Sequence, residues 1–204
     1  MAQDWINRRG ILLGGLGGLA LLAGCSTSVK RTTWPDITFQ HRSSIGLRVS
    51  EVLFEDAAAA ESVAPPARDI RYALPVSPVI AMERWSQERL EPFGGAGRAR
   101  VTLLENRFVE TPLDLTDGVE GVFTVDQSER YEGAMAVRVA IENDPSGNGF
   151  VEARATASRT VPENYTLNKR EETLYNMMTG MISALDERLE TEMRANLARW
   201  LLIS

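Results

Sequence analysis

Apolar and polar side chains alternate in four stretches of the chain, and a spacing of two predicts β-strands with one buried face. The stretches cover residues 45–53, 98–111, 130–142 and 151–158. The alternation of the second stretch slips near Leu104, which predicts a bulge. The fourth stretch carries alanines on its inward face, so we expect a helix to lie close to it. Residues 122–125 form either a short separate strand or the start of the next one.

Two further stretches repeat apolar residues at spacings of three and four, which is typical of amphipathic helices. The first follows Ser77 and Pro78, an N-cap residue and a proline at the first helical position, and runs to the glycines at 94 and 95. The second begins at Asn168, which with Glu171 has the form of a capping box. It continues to Trp200, about 35 residues or some 50 Å.

The predicted order of elements is β-α-β-β-β-α. It indicates an α+β fold in which two helices pack on one face of a mostly antiparallel, four-stranded sheet. The other face carries arginine and glutamate side chains, so we expect it to meet water. Residues 56–68 contain an alanine run and two prolines, which favours a surface loop.

The N-terminus has the pattern of an export signal. A short polar stretch ends in Arg8 and Arg9, and residues 10–24 then carry no charge and are rich in leucine. This apolar run is about 15 residues, shorter than the roughly 20 that a membrane-spanning helix needs. The paired arginines also resemble the twin-arginine export pattern, so ordinary export and export after folding both stay open.

Leu22-Ala23-Gly24-Cys25 resembles a lipobox, the motif of bacterial lipoproteins. The resemblance implies cleavage between Gly24 and Cys25, a diacylglycerol on the Cys25 thiol and an acyl chain on its new amino group. Ser26 stands where an aspartate would retain such a protein in the inner membrane, so the resemblance favours the outer membrane. It divides the chain into a signal peptide at 1–24, a lipidated tether at 25–44 and one domain at 45–204.

The amino-acid composition limits the roles open to Cys25 and the classes of partner that the chain can bind. Cys25 is the single cysteine, so an internal disulfide is excluded, and its other interpretations are a buried hydrophobe or a reactive thiol. The formal net charge is −6, which argues against nucleic acid as a partner.

Candidate chemistry is sparse. The one histidine, His41, lies in the predicted tether, so neither a zinc site nor a usual serine–histidine pair is expected. Residues 143–149 have the composition of a hairpin turn rather than a calcium loop, and the glycines at 94–97 follow a helix rather than open one. Arginines are interspersed with the carboxylates of both helices, which favours ion-paired, solvated faces over an acid–base pair. We therefore expect no catalytic residue, no metal and no cofactor other than the acyl chains.

The layout of residues 45–200 is similar to that of the auxiliary lipoproteins of ABC-type envelope lipid transport systems, and of the lipopolysaccharide-assembly lipoprotein. This resemblance implies a periplasm-facing, non-catalytic accessory subunit that binds a larger membrane complex. We expect the contact on the exposed sheet face or the long helix, with Trp200, Leu201 and Leu202 as candidates. The alternative is a free-standing lipoprotein that binds a lipid or small ligand between helix and sheet.

Overall fold

The computed structural model describes residues 32–58, 63–114 and 126–202. Nine helices and strands lie in these ranges, together with single 3-10 turns at Arg71–Ala73 and Ala198–Trp200. The elements are β1 Ile45–Leu47, β2 Val52–Asp56, β3 Arg68–Asp69, α1 Pro78–Arg89, β4 Leu90–Pro92, β5 Arg98–Pro112, β6 Gln127–Glu142, β7 Gly149–Pro162 and α2 Leu167–Asn196. Two predictions lie outside the described residues: the predicted signal peptide and lipobox, with Arg8, Arg9, Gly24 and Cys25, and the piece predicted at 122–125.

The main sheet has the order β2-β5-β6-β7, and the short β3 pairs with β5 beyond the end of β2. Strand β2 runs parallel to β5, whereas the other pairs are antiparallel. Side chains of both helices and of the sheet form one hydrophobic core. The α+β class and the mostly antiparallel sheet are therefore confirmed, with one parallel pair that makes the sheet mixed and with a fifth, short strand.

The first predicted strand is in fact two. Strand β1 pairs in parallel with β4 in a separate small sheet, whereas β2 joins the main sheet. Between them the backbone turns at Ser50, whose N–H and hydroxyl both donate to the Gly97 carbonyl, at 2.7 and 2.8 Å. Alternation alone continues across such a turn, so it predicted a single strand over 45–53.

Helix α1 begins as predicted, with Ser77 accepting from the Ile80 N–H, but it ends at Arg89 rather than near Phe93. Pro92 disfavours a helical conformation at the residue before it, and the chain enters β4. The glycines that follow serve the turn after β4 instead of ending a helix. A Cβ on Gly95 would lie 2.5 Å from the Arg48 carbonyl oxygen, and its φ of 148° also favours glycine.

Helix α2 has 30 residues, or about 45 Å, and its N-cap is Thr166 rather than the predicted Asn168. The Thr166 hydroxyl accepts from the Lys169 N–H. The helix ends at Asn196, and the 3-10 turn then redirects the chain so that Leu201 forms a β-bridge with Leu47. The chain therefore changes direction where the sequence predicted the last turn of the helix. Among the described residues, no helix is long and apolar enough to cross a membrane.

The long strands match their predicted pattern. The β5–β6 register shifts between Leu103 and Glu105, which confirms the bulge. Ala153 and Ala155 are buried beneath α2 as expected, and a Cβ on Gly133 would lie 2.8 Å from the Met181 sulfur. Residues 143–148 connect β6 to β7 as the predicted turn. The opposite face of the sheet carries ion pairs, as expected: Arg100–Glu142, Arg100–Glu55, Arg138–Glu152 and Arg154–Glu105.

Residues 34–44, which we call the strap, lie between α1 and α2. Ile37 and Phe39 are buried in the core. The Ile37 carbonyl accepts from Arg84 at 3.1 Å, and the Phe39 N–H donates to Glu88 at 2.5 Å, which fixes the strap to α1. The sequence assigned this segment to the tether, but from Trp34 onward it is part of the folded domain. The tether hypothesis now concerns residues 25–33.

Candidate functional site

A cleft of about 920 Å³ lies where the strap, the end of α1 and the end of α2 meet. The strap and β1 form one side of it, the α1–β4 junction a second and the C-terminal part of α2 a third. The lining residues are His41, Arg42, Ser43, Ser44, Ile45, Gly46, Arg89, Glu91, Phe93, Glu190, Arg194, Ala198, Leu201 and Leu202.

A buried ion pair lies beneath the cleft, and its arginine, Arg89, forms the floor. Arg89, at the end of α1, donates through Nε to Oδ1 of Asp186 on α2 at 2.8 Å, and both side chains are 2% exposed. The indole Nε1–H of Trp85 donates to the same carboxylate oxygen at 2.8 Å. On the other carboxylate oxygen, Oδ2, Arg42 of the strap lies 3.4 Å away. Asp186 therefore joins α1, α2 and the strap at one point.

The rim of the cleft is also charged, and its Arg42, Glu190 and Arg194 side chains are held in ion pairs. Arg42 donates to Glu187 at 3.2 Å. Glu190 accepts from Arg89 and from Arg194, both at 2.5 Å. Charged groups held in such pairs are positioned to hold the elements together.

The remaining wall is apolar. The Leu202 N–H donates to the Gly46 carbonyl at 2.9 Å, which places the last described residues beside β1. A Cβ on Gly46 would lie 3.0 Å from Leu202 Cδ1 and 3.1 Å from Phe93 Cε2, so both side chains cover this glycine. Phe93 is 57% exposed, and Leu201 and Leu202 are half-buried. The cleft thus pairs a charged floor with an apolar wall open to solvent.

Of the three residues predicted as a partner contact, Leu201 and Leu202 line the cleft, but Trp200 is 2% exposed and belongs to the core. Its ring lies against Gly149, where a Cβ would come within 2.8 Å, and Arg199 lies over it at 4.0 Å from the ring centre. The 3-10 turn causes this difference, because it points Trp200 toward the sheet.

The sequence also missed Arg89 and Asp186, because charges on both helices were interpreted as solvated. A signal was present: Asp186 directly follows Leu185 and precedes Leu189 by three residues, so helical spacing places it beside the buried face. Among the described residues, no group of three or more histidine, cysteine, aspartate or glutamate side chains could hold a metal ion.

A second polar cluster lies at the opposite end of α2. The buried Tyr131 hydroxyl donates to Glu129 at 2.9 Å, and Glu129 also pairs with Arg170 in the first turn of α2. Burial, reinforced by the hydrogen bond to Glu129, raises the pKa of Tyr131 from 10.0 to about 12. This cluster fastens the start of α2 to β6.

No protein-family model and no curated protein matches the chain. Among solved structures, the chain is similar to rare lipoprotein B from Shewanella oneidensis, with 12% identity over 72% of this chain and 95% of that one and a TM-score of 0.38. It is also similar to a minor lipoprotein from Acinetobacter baumannii, with 16% identity over 78% and 99% of the two chains and a TM-score of 0.33. At this distance neither likeness indicates a function.

Proposed function

We propose that the chain is a lipid-anchored, periplasm-facing accessory subunit of an envelope lipid transport complex, and that it binds its partner through the cleft without catalysing a reaction. The observation that carries this proposal is the composition of the cleft. Four of its charged groups, Arg42, Arg89, Glu190 and Arg194, are engaged in ion pairs, whereas Phe93, Leu201 and Leu202 present apolar surface to solvent.

The lipobox supports the anchor. One acyl chain holds a protein to a membrane only marginally, whereas two or more hold it stably. A diacylglycerol and an N-acyl chain on Cys25 supply that number. Ser26 favours the outer membrane as the location. The transport role rests on the layout shared with auxiliary transport lipoproteins.

The cleft suits a segment of a protein partner. Binding energy at interfaces concentrates in a few aromatic and apolar anchors surrounded by a polar rim. Phe93 lies at the edge of the apolar wall, and Arg42, Arg194 and Glu190 form the polar rim. The ion-paired floor is rigid because it is tied to α1, α2 and the strap, so the cleft is formed before a partner arrives.

The cleft volume favours a second candidate function, a free-standing lipoprotein that binds a lipid or another small ligand. About 920 Å³ lies within the range of pockets for small molecules, roughly 300–1,000 Å³. Under this alternative the apolar wall takes the hydrocarbon part of the ligand. Native mass spectrometry of protein extracted from cells distinguishes the two, because only a ligand carrier retains a discrete bound mass.

Photo-crosslinking in living cells tests the accessory role. A photoreactive amino acid replaces Phe93 in the cleft or, as a matched control, Phe150 on the sheet, which is 61% exposed against 57% for Phe93. We expect a discrete protein adduct from position 93 and little from position 150. The Leu202→Arg substitution should abolish the adduct by placing a charge in the apolar wall. Equal adducts from both positions, or none from position 93, would contradict the proposal.

A further inference from the structure

The chain enters the folded domain beside the start of α2. Trp34, the first residue of the strap, stacks on Tyr175 with ring centres 5.0 Å apart and donates through Nε1 to Glu171 at 3.2 Å. The strap then follows α2 toward its C-terminus, and Arg42 contacts Asp186 and Glu187. A membrane anchor upstream of residue 32 is therefore attached to the domain at the end where α2 begins.

The reach of that anchor is short. Thr32, the first residue that the structure describes, comes seven residues after Cys25. A fully extended chain covers at most about 3.6 Å per residue, which gives roughly 25 Å in total. If Cys25 carries the lipid, this end of the domain stays within that distance of the membrane surface.

Exposed apolar and aromatic side chains gather at this same end. Leu167, the first residue of α2, is 61% exposed, and Tyr165 is 38% exposed. Leu167 lies one helical turn before Glu171, the residue that binds Trp34, so the two occupy the same face of α2. Trp34 itself is partly exposed. We call Trp34, Tyr165 and Leu167 the entry surface.

We infer that the entry surface rests on the lipid bilayer. This inference depends on the lipid anchor in the proposed function and adds the orientation of the domain. Tryptophan and tyrosine suit the bilayer interface because each ring buries an apolar body while its N–H or O–H keeps a polar partner, which for Trp34 is Glu171. Lys169 on the first turn of α2 is exposed, but its ammonium group pairs with Glu172 at 2.7 Å, so Leu167 and the two rings carry the contact.

The orientation assigns different tasks to the two ends of α2. Leu167 and Arg194 are 27 residues apart on one helix, or about 40 Å. With the entry surface on the bilayer, the cleft around Arg194 stands away from it, where a partner protein has access. The anchor supplies the affinity for the membrane, and the entry surface supplies the direction in which the cleft points.

Site-directed fluorescence on the full-length, lipidated protein tests the inference. Acylated Cys25 has no free thiol, so a single introduced cysteine is labelled selectively with an environment-sensitive dye. The positions are Leu167→Cys and Tyr165→Cys in the entry surface. Phe150→Cys is the matched control, because Phe150 is 61% exposed like Leu167 and adjoins Gly149, which packs on Trp200 near the cleft.

The proteins are reconstituted into vesicles of phosphatidylethanolamine and phosphatidylglycerol, with and without nitroxide-labelled headgroups. We expect the nitroxide to quench the dye at position 167 or 165 at least twofold more than at position 150. Quenching at 150 that equals or exceeds that at both entry-surface positions would overturn the inference. Flotation of the vesicles separates this failure from failure of the anchor: a protein that does not float with them contradicts the lipid-anchored function itself.

Discussion

Arg89 and Asp186 lie 97 residues apart in the sequence, yet their side chains meet at 2.8 Å with only 2% of each exposed. The pair connects the end of α1 to the middle of α2 beneath the cleft. Removing one partner of a buried pair leaves the other charge without compensation.

We therefore expect Asp186→Ala to lower the free energy of unfolding by about 3–5 kcal/mol, because buried Arg89 keeps only Glu190 as a partner and the buried Trp85 N–H loses its acceptor. Urea denaturation followed by circular dichroism measures this. Glu187→Gln on the same helix is the control, since that side chain is 64% exposed and its substitution should cost less than about 0.5 kcal/mol. Equal effects of the two substitutions would show that the buried pair contributes no more to the free energy of unfolding than an exposed one.

The burial of the strap leads to a separate prediction. Phe39 is 4% exposed, so Phe39→Ala should destabilise the domain by about 3–5 kcal/mol through loss of buried contacts. Gln40→Ala, on the exposed neighbouring residue, should change the free energy of unfolding by less than about 0.5 kcal/mol. If Phe39→Ala were as mild as its neighbour, residues 34–44 would behave as the flexible tether that the sequence suggested.

Substitutions at Trp200 and Leu202 distinguish a residue of the core from a residue of the cleft wall. Because its ring is buried against Gly149, Trp200→Ala should cost about 3–5 kcal/mol of stability. Leu202→Ser, in the open wall of the cleft, should weaken the Phe93 crosslink while costing less stability than Trp200→Ala. Thermal denaturation and the crosslinking yield measure the two effects. A stable Trp200→Ala protein that loses its partner would restore Trp200 as a contact residue.

Tyr131 contributes a pH dependence of stability in the alkaline range. Its pKa is raised to about 12 in the folded protein, so the unfolded chain loses this proton first as pH increases. The contribution of Tyr131 to stability is constant below about pH 10 and falls between pH 10 and 12, by up to about 1.4 kcal/mol per pH unit for one proton. Urea denaturation across this range should show a steeper loss for the wild type than for Tyr131→Phe, which has no hydroxyl to titrate. Parallel curves would contradict the assigned pKa.

Local pattern predicted the parts of the fold that have a long, regular period. Strands β5 to β7 and helix α2 fall into this class, and the bulge after Leu103 was visible as a slip in alternation. Local pattern did not predict the strap, because Ile37 and Phe39 are two apolar residues in a polar stretch. Their burial depends on a groove made by residues much later in the chain. Local pattern did not predict strand β4 either, because the helical spacing continued through Leu90, although Pro92 indicated the end of the helix.

The candidate site could be predicted only in part for the same reason. Leu201 and Leu202 were identified from the apolar end of the chain, but the 3-10 turn that buries Trp200 and exposes them has no periodic signal. The floor of the cleft depends on Asp186 meeting Arg89 and Arg42, a contact between three distant segments. Spacing within one helix does not report which residue of another helix lies opposite.

The acylation of Cys25 tests the central claim most directly. Cells expressing the wild type or Cys25→Ser are fed an alkyne-bearing fatty acid, and the label on the protein and its distribution between membrane and soluble fractions are measured. The account predicts a labelled, membrane-bound wild type and an unlabelled Cys25→Ser variant in the soluble periplasmic fraction. An unlabelled wild type, or a Cys25→Ser variant that stays on the membrane like the wild type, would contradict it.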